Sequence, residues 1–172
     1  MTMMHAVPVA GGILAIAPLP GAQGDYAGDL EHIRGWAPAI AISLTTEAEM
    51  IPVGARFLGT QLQDQGTRWV HLPIDDFAAP GAGFDDAWPE VSRQALRALA
   101  GGGRVLVHCR GGCGRSGMVA LRLMIEAGEA PDEALARLRK LRPCAIETDA
   151  QMAWALAAPR AHAVFMRHPK AR

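Results

Sequence analysis

Val105-Leu106-Val107-His108-Cys109-Arg110-Gly111-Gly112-Cys113-Gly114-Arg115-Ser116 runs from an apolar segment through a thiol and a glycine-rich turn to an arginine. The apolar start reads as a short buried strand. The apolar stretch that follows, residues 118–125, reads as a buried helix. Cys109 therefore stands at a strand's end, and Arg115, six positions on, stands where a helix begins. A loop that wraps a tetrahedral anion must aim several backbone N–H groups at one point, and Gly111, Gly112 and Gly114 permit the backbone angles this needs. The helix N-terminus adds unpaired N–H donors and partial positive charge. Arg115 offers a planar fork for two anionic oxygens. All of these favour a thiolate at Cys109, so one element places both nucleophile and bound anion. The pattern points to phosphate-ester chemistry. A structural cysteine beside a glycine turn, or an anion site without catalysis, is the plainer alternative.

Strand and helix signals alternate on either side of this stretch. Residues 12–17 read as a first strand, and residues 25–36 as a helix with Tyr26, Leu30 and Ile33 on one face. Residues 39–44 read as a buried strand, and Thr46 to Glu49 has capping-box spacing. Residues 55–65 read as a helix, 68–74 as a strand and 85–99 as a helix. Residues 131–142 form an amphipathic pattern that Pro143 ends. The expected fold is α/β: a single domain over residues 1–172, with a central, largely parallel sheet of four to five strands flanked by helices. Its ordered core is expected over about residues 10–165, and residues 166–172 read as a frayed basic end. Ligand loops in such a sheet lie at the strands' C-terminal ends, where Cys109 and the acidic pair Asp75-Asp76 both fall.

The His108–Ser116 signature resembles that of the cysteine-dependent protein tyrosine phosphatases, in which His-Cys is followed after five residues by Arg and then Ser or Thr. The form HCRGGCGRSG is most like the compact dual-specificity branch, particularly the kinase-associated phosphatase type and its bacterial relatives. Weaker likeness runs from about residue 13 to residue 151 and includes LPIDDFAAP and RPCAIETDAQ. The resemblance implies a fold of the protein tyrosine phosphatase type and a cysteinyl-phosphate mechanism. It also implies a general acid on the loop after the 68–74 strand, with a proline four residues later. Asp76 meets that spacing through Pro80, and Asp75 is the runner-up; as a plain alternative, both aspartates only cap a turn. Arg115 and the loop amides of Arg110, Gly111, Gly112, Cys113 and Gly114 would bind the phosphoryl oxygens. The resemblance gives the Ser116 hydroxyl a role in thiolate departure, although Ser is also a good helix cap. It places Gln151 near the attacking water, although Thr148 and Gln151 have capping-box spacing too. His108 neighbours Cys109 on a strand and so points to the opposite face, which suits a supporting residue better than a base.

The implied activity is hydrolysis of phosphotyrosine, with phosphoserine and phosphothreonine as further substrates, on a phosphorylated protein or peptide. The alternatives are a phosphoinositide or RNA-triphosphate phosphatase, a sulfurtransferase or arsenate reductase, and an inactive phosphoprotein-binding module. The formal net charge is +0, from 17 basic and 17 acidic residues, which gives no support for nucleic-acid or membrane-surface binding. With half the residues hydrophobic, a sizeable core is feasible. The apolar run 12–19 is broken by Pro18 and is too short to span a bilayer. No cofactor is expected, and no metal, since the six histidines show no paired ligand spacing. Three cysteines, an odd number, argue against a secreted disulfide framework and fit a reducing cytoplasm. Cys113 reads either as packing or as a trap for oxidised Cys109, with Cys144 as the rival partner. Arg137, Arg139, Lys140 and Arg142 form a basic cluster that reads as a solvated helix face or as a dock for an acidic substrate.

Overall fold

The computed structural model describes residues 2–159. Five strands form one sheet: β1 (His5–Val9), β2 (Gly12–Ala17), β3 (Ile40–Ser43), β4 (Arg68–His71) and β5 (Arg104–His108), in the order β1-β2-β5-β3-β4. β1 pairs antiparallel with β2, and every other pairing is parallel. The expected single α/β domain and mostly parallel sheet are therefore present. The helices are α1 (Tyr26–Trp36), α2 (Glu47–Met50), α3 (Leu58–Asp64), α4 (Ala82–Ala100), α5 (Gly114–Glu126), α6 (Pro131–Leu141) and α7 (Asp149–Leu156).

Apolar side chains on both strand faces explain the two-sided packing. In β2, Leu14 and Ile16 enter a core shared with residues of α4, α5, α6 and α7, whereas Ala15 and Ala17 face Leu30 and Ile33 of α1 and Leu58 and Leu62 of α3. Of the residues in α5, only Arg122 escapes full burial, as the apolar run after the glycine turn predicted. Asp25 caps α1, and the Thr46–Glu49 and Thr148–Gln151 boxes cap α2 and α7.

Two features differ from the sequence reading. The sheet begins one strand earlier, at β1, which Ala10 and Gly11, both at positive φ, turn back onto β2. Order also begins before residue 10: Thr2 N donates to the buried Asp29 carboxylate at 2.5 Å. Residues 160–165 of the expected core and the basic end 166–172 lie outside the described residues. No helix among the described residues is long and apolar enough to cross a membrane.

Candidate active site

Because β2, β5, β3 and β4 run parallel, the segments that follow them gather at one edge of the sheet. Residues 109–113 follow β5 there, Asp75 and Asp76 follow β4, and α2 follows β3. The 109–113 loop packs against the end of β2: Cys109 N donates to Ala17 O and Leu19 N donates to Arg110 O. Glycine is required at 112. Its φ is +71°, and a Cβ there would stand 2.8 Å from backbone atoms of Ala17 and Pro18. Gly111 has open space around it, so its contribution is freedom of the loop rather than clearance.

A cavity of about 400 Å³ opens at this edge, lined by Asp76, Phe77, Cys109, Arg110, Gly111, Cys113, Gly114 and Glu147. Cys109 is 2% exposed and is the free thiol among the described residues. Its Sγ lies 3.2 Å from Ser116 Oγ. Ser116 is fully buried in the first turn of α5, with its hydroxyl beside the sulfur.

Arg115 is 1% exposed and fully engaged on one side. It donates to both Glu49 carboxylate oxygens, at 2.7 and 2.8 Å, and to Ile74 O at 2.8 Å. Burial works against its charge, but Glu49, then Cys109 and Asp76, raise its pKa above the ordinary value. The Arg115 hydrogen bond in turn holds the Glu49 pKa at about 2, with burial opposing. Arg115 Nε is buried with no acceptor among the described residues. A buried unmet N–H is expensive, so this donor is one that a ligand oxygen would satisfy.

Asp76 lines the cavity, and its Oδ1 lies 3.3 Å from Arg115 Nη2. Asp75 is exposed and does not line the cavity; its carbonyl accepts from Ala78 N in the turn. His108 is buried, and burial drives its pKa down to about 4, so it is neutral. Its Nδ1 faces Cys109 O at 3.4 Å and its Nε2 lies 2.5 Å from Ser43 Oγ; the Ser43 oxygen accepts from Trp69 Nε1. These bonds tie the imidazole to the Cys109 carbonyl and to Ser43 of β3.

Gln151 makes its capping box and does not line the cavity. Its Oε1 accepts from the N–H groups of Glu147 and Thr148, and its Nε2 donates to Ala78 O beyond the acidic pair. The polar side chain of this region that reaches the cavity wall is Glu147.

Sequence reasoning missed three things. Glu49 was visible only as a capping residue, and its second role depends on Arg115, 66 positions away. The basic cluster is exposed at Arg137, Arg139 and Lys140, as a solvated face requires, but its three arginines are also engaged with backbone carbonyls. Arg142 donates to Gly111 O and Gly112 O, Arg139 to Ala145 O and Ile146 O, and Arg137 to Pro8 O. Finally, Cys113 pairs with Cys144 in a disulfide, with Cα atoms 5.2 Å apart. Neither partner is Cys109: the two candidate partners of an oxidised nucleophile pair with each other instead, and Cys109 is left as the free thiol.

Many solved structures resemble the chain, among them the following three. The active form of Tk-PTP shares 27% identity over 87% of this chain and 92% of that one, with a TM-score of 0.69. Kinase associated phosphatase, with its catalytic-site cysteine replaced by serine, shares 23% identity over 90% and 92%, with a TM-score of 0.76. PTPMT1 in complex with PI(5)P shares 18% identity over 91% and 94%, with a TM-score of 0.66. The last two show likeness of fold alone. The family described as "Swiss Army Knife protein, DSP-PTPase phosphatase domain" matches residues 30–154, a span that holds Glu49, Asp76, Cys109 and Arg115. A match over that much of the chain, on a fold shared with these phosphatases, places it in a family: the chain belongs to the dual-specificity branch of the protein tyrosine phosphatase superfamily, as a DSP-PTPase phosphatase domain.

Proposed function

We propose that the chain hydrolyses phosphotyrosine monoesters of proteins or peptides, with phosphoserine and phosphothreonine as secondary substrates, through a cysteinyl-phosphate on Cys109. The observation that carries this reading is one cavity lined by both Cys109 and Asp76, beside a buried Arg115 whose Nε lacks an acceptor among the described residues. In the first step a lone pair on Sγ attacks phosphorus. The ester P–O bond breaks, and the leaving oxygen takes its proton from Asp76. In the second step water attacks the cysteinyl-phosphate and gives a proton to Asp76. The P–S bond breaks, and the departing thiolate accepts a hydrogen bond from Ser116, 3.2 Å away. Arg115 and the loop N–H groups hold the remaining phosphoryl oxygens throughout. His108 and Gln151 support this geometry without touching the reacting atoms.

Phe77, 59% exposed on the cavity wall, offers an apolar face to an aromatic ring, which favours phosphotyrosine. The cations of the wall reduce to Arg110, and Glu147 adds a carboxylate, a poor setting for a multiply phosphorylated inositol. A cytoplasmic location belongs to the same proposal; there, the exposed Cys113–Cys144 bond is open to reduction.

Release of p-nitrophenol from its phosphate tests the reading. Cys109→Ser abolishes turnover. Asp76→Asn lowers kcat by about 10²–10⁴-fold and flattens its decline at higher pH, while Asp75→Asn does neither. The reverse pattern for the two aspartates would remove Asp76 from the acid role. Parallel assays with phosphotyrosine peptide, phosphoinositide vesicles, thiosulfate and arsenate rank the substrate classes. Full turnover by Cys109→Ser would end the cysteinyl-phosphate account.

A further inference from the structure

The phosphate loop is held from outside by the segment between α6 and α7. Arg142 accounts for two of the loop's carbonyls, and Ile146 N donates to Cys113 O at 3.2 Å. The Cys113–Cys144 disulfide joins the same two segments covalently, across 31 positions of sequence. The two sulfurs sit in different settings. Cys144 belongs to an exposed residue, open to an external thiol. Cys113 lines the cavity and is the N-cap of α5, where unpaired helix N–H groups and the helix dipole favour negative charge. Cys109 is apart from both: free, 2% exposed, with its Sγ 3.2 Å from Ser116 Oγ.

We propose that Cys113–Cys144 is a thiol–disulfide exchange site whose co-substrate is a dithiol, and that the disulfide form is the form with high phosphate affinity. The proposal rests on the phosphatase reading of the cavity. In the exchange, one thiolate of the dithiol attacks Cys144 Sγ. The Cys144–Cys113 bond breaks, and its electron pair leaves on Cys113 Sγ, whose place at a helix N-terminus suits a leaving thiolate. The second thiol of the reductant then attacks its own sulfur in the mixed disulfide and releases Cys144. The dithiol ends as a disulfide, two electrons pass to the protein, and the two protons of the reductant end on Cys113 and Cys144 or in water. Oxidation by a disulfide of the same class reverses each step.

The consequence for the cavity follows from where the freed sulfur lies. Reduction frees the Cys113 sulfur on the wall that holds the substrate dianion, where negative charge drawn onto it by the helix N-terminus opposes the dianion. Arg142 and Ile146 still brace the loop, so the fold persists while phosphate binding weakens. Reduction therefore raises KM for a phosphomonoester by about three- to fivefold, the size of one partial charge at a helix end, with a smaller effect on kcat.

The test uses the whole chain equilibrated in buffers of graded dithiol-to-disulfide ratio, alkylated and mapped by mass spectrometry. Of the three cysteines, the oxidised form exposes Cys109 alone to alkylation, and the reduced form exposes all three. Cys109 labelled in both forms separates this exchange from oxidation of the nucleophile. Inhibition by inorganic phosphate and KM for p-nitrophenyl phosphate are measured on the same samples. The expected result is weaker phosphate binding that follows the loss of the disulfide. Cys144→Ser is then locked at low affinity in every buffer. Cys113→Ala with Cys144→Ala ignores the buffer and binds phosphate more tightly than Cys144→Ser, because no sulfur remains on the wall. Equal phosphate affinity in the two mapped forms overturns the proposal while leaving the phosphatase reading intact, as does labelling of all three cysteines under every condition. Failure of the phosphatase reading has a different signature, turnover that survives in Cys109→Ser.

Discussion

Arg115 is among the largest fully buried side chains of the protein, and it is charged. A guanidinium taken out of water is tolerated only when its charge and donors are met. Glu49 meets them with two oxygens and is itself set by the Thr46 box: Thr46 N donates to Glu49 Oε1 at 3.0 Å. Helix capping and orientation of the phosphate-binding arginine are thus one construction. Glu49→Ala leaves a buried cation with Ile74 O and Asp76 as its remaining protein partners. The expected loss is about 3 kcal/mol of stability, read by urea unfolding, the low end for breaking a buried pair. Glu49→Gln keeps hydrogen-bonding capacity without the charge and loses less stability. Both variants lower kcat/KM, because Arg115 is no longer held at a single angle to the phosphoryl oxygens. A Glu49→Ala protein with wild-type unfolding and kinetics would show that the pair orders nothing. Local spacing revealed the capping box at Thr46–Glu49 but could not show its partner, since a pairing across 66 positions leaves no local periodicity.

At the scale of elements, the loop after β5 and the helix α5 were the most legible parts of the chain. An apolar strand, a glycine turn and an apolar helix each leave a strong local pattern, and all three lie in one stretch. The segment from Arg142 to Glu147 was not legible in the same way. Arg142, the last residue of the basic cluster, suggested a solvated or docking face because charge patterning says nothing about which carbonyls are within reach. In the structure, Arg142 Nη2 donates to Gly111 O at 2.9 Å and Nε to Gly112 O at 3.2 Å. Carbonyls turned outward onto Arg142 leave the loop's N–H groups free for the anion. Arg142→Ala therefore raises KM for p-nitrophenyl phosphate by roughly tenfold, the cost of about one charge-assisted hydrogen bond, with a smaller change in kcat. Added guanidinium ion restores part of the loss, and Arg142→Lys falls between the two. An unchanged KM, or a loss that guanidinium does not relieve, would mean that the loop keeps its shape without this brace.

Across the whole molecule, the sheet topology brings to one edge a buried neutral imidazole at the end of β5 and a buried ion pair between α2 and α5, and both make stability depend on pH in the same direction. His108 has a native pKa of about 4, below the ordinary 6.5, because burial opposes its charge. Between those values the unfolded chain binds a proton that the folded chain does not, so stability is complete above about pH 6.5 and falls as pH drops toward 4. The size of that fall is about 3 kcal/mol from this one residue. Glu49 acts lower on the scale. With a native pKa of about 2 against the ordinary 4.5, its contribution is complete above about pH 4.5 and is lost as pH falls toward 2. Urea midpoints measured from pH 8 to pH 3 should thus show two successive declines. His108→Asn removes the imidazole but keeps a side chain able to bond Ser43. It flattens the first decline and leaves the second, whereas Glu49→Gln flattens the second and leaves the first. A wild-type midpoint that stays level from pH 6.5 to pH 4.5 would show that the imidazole is protonated in the folded protein. The Ser43–His108 arrangement behind Cys109 would then need a different account.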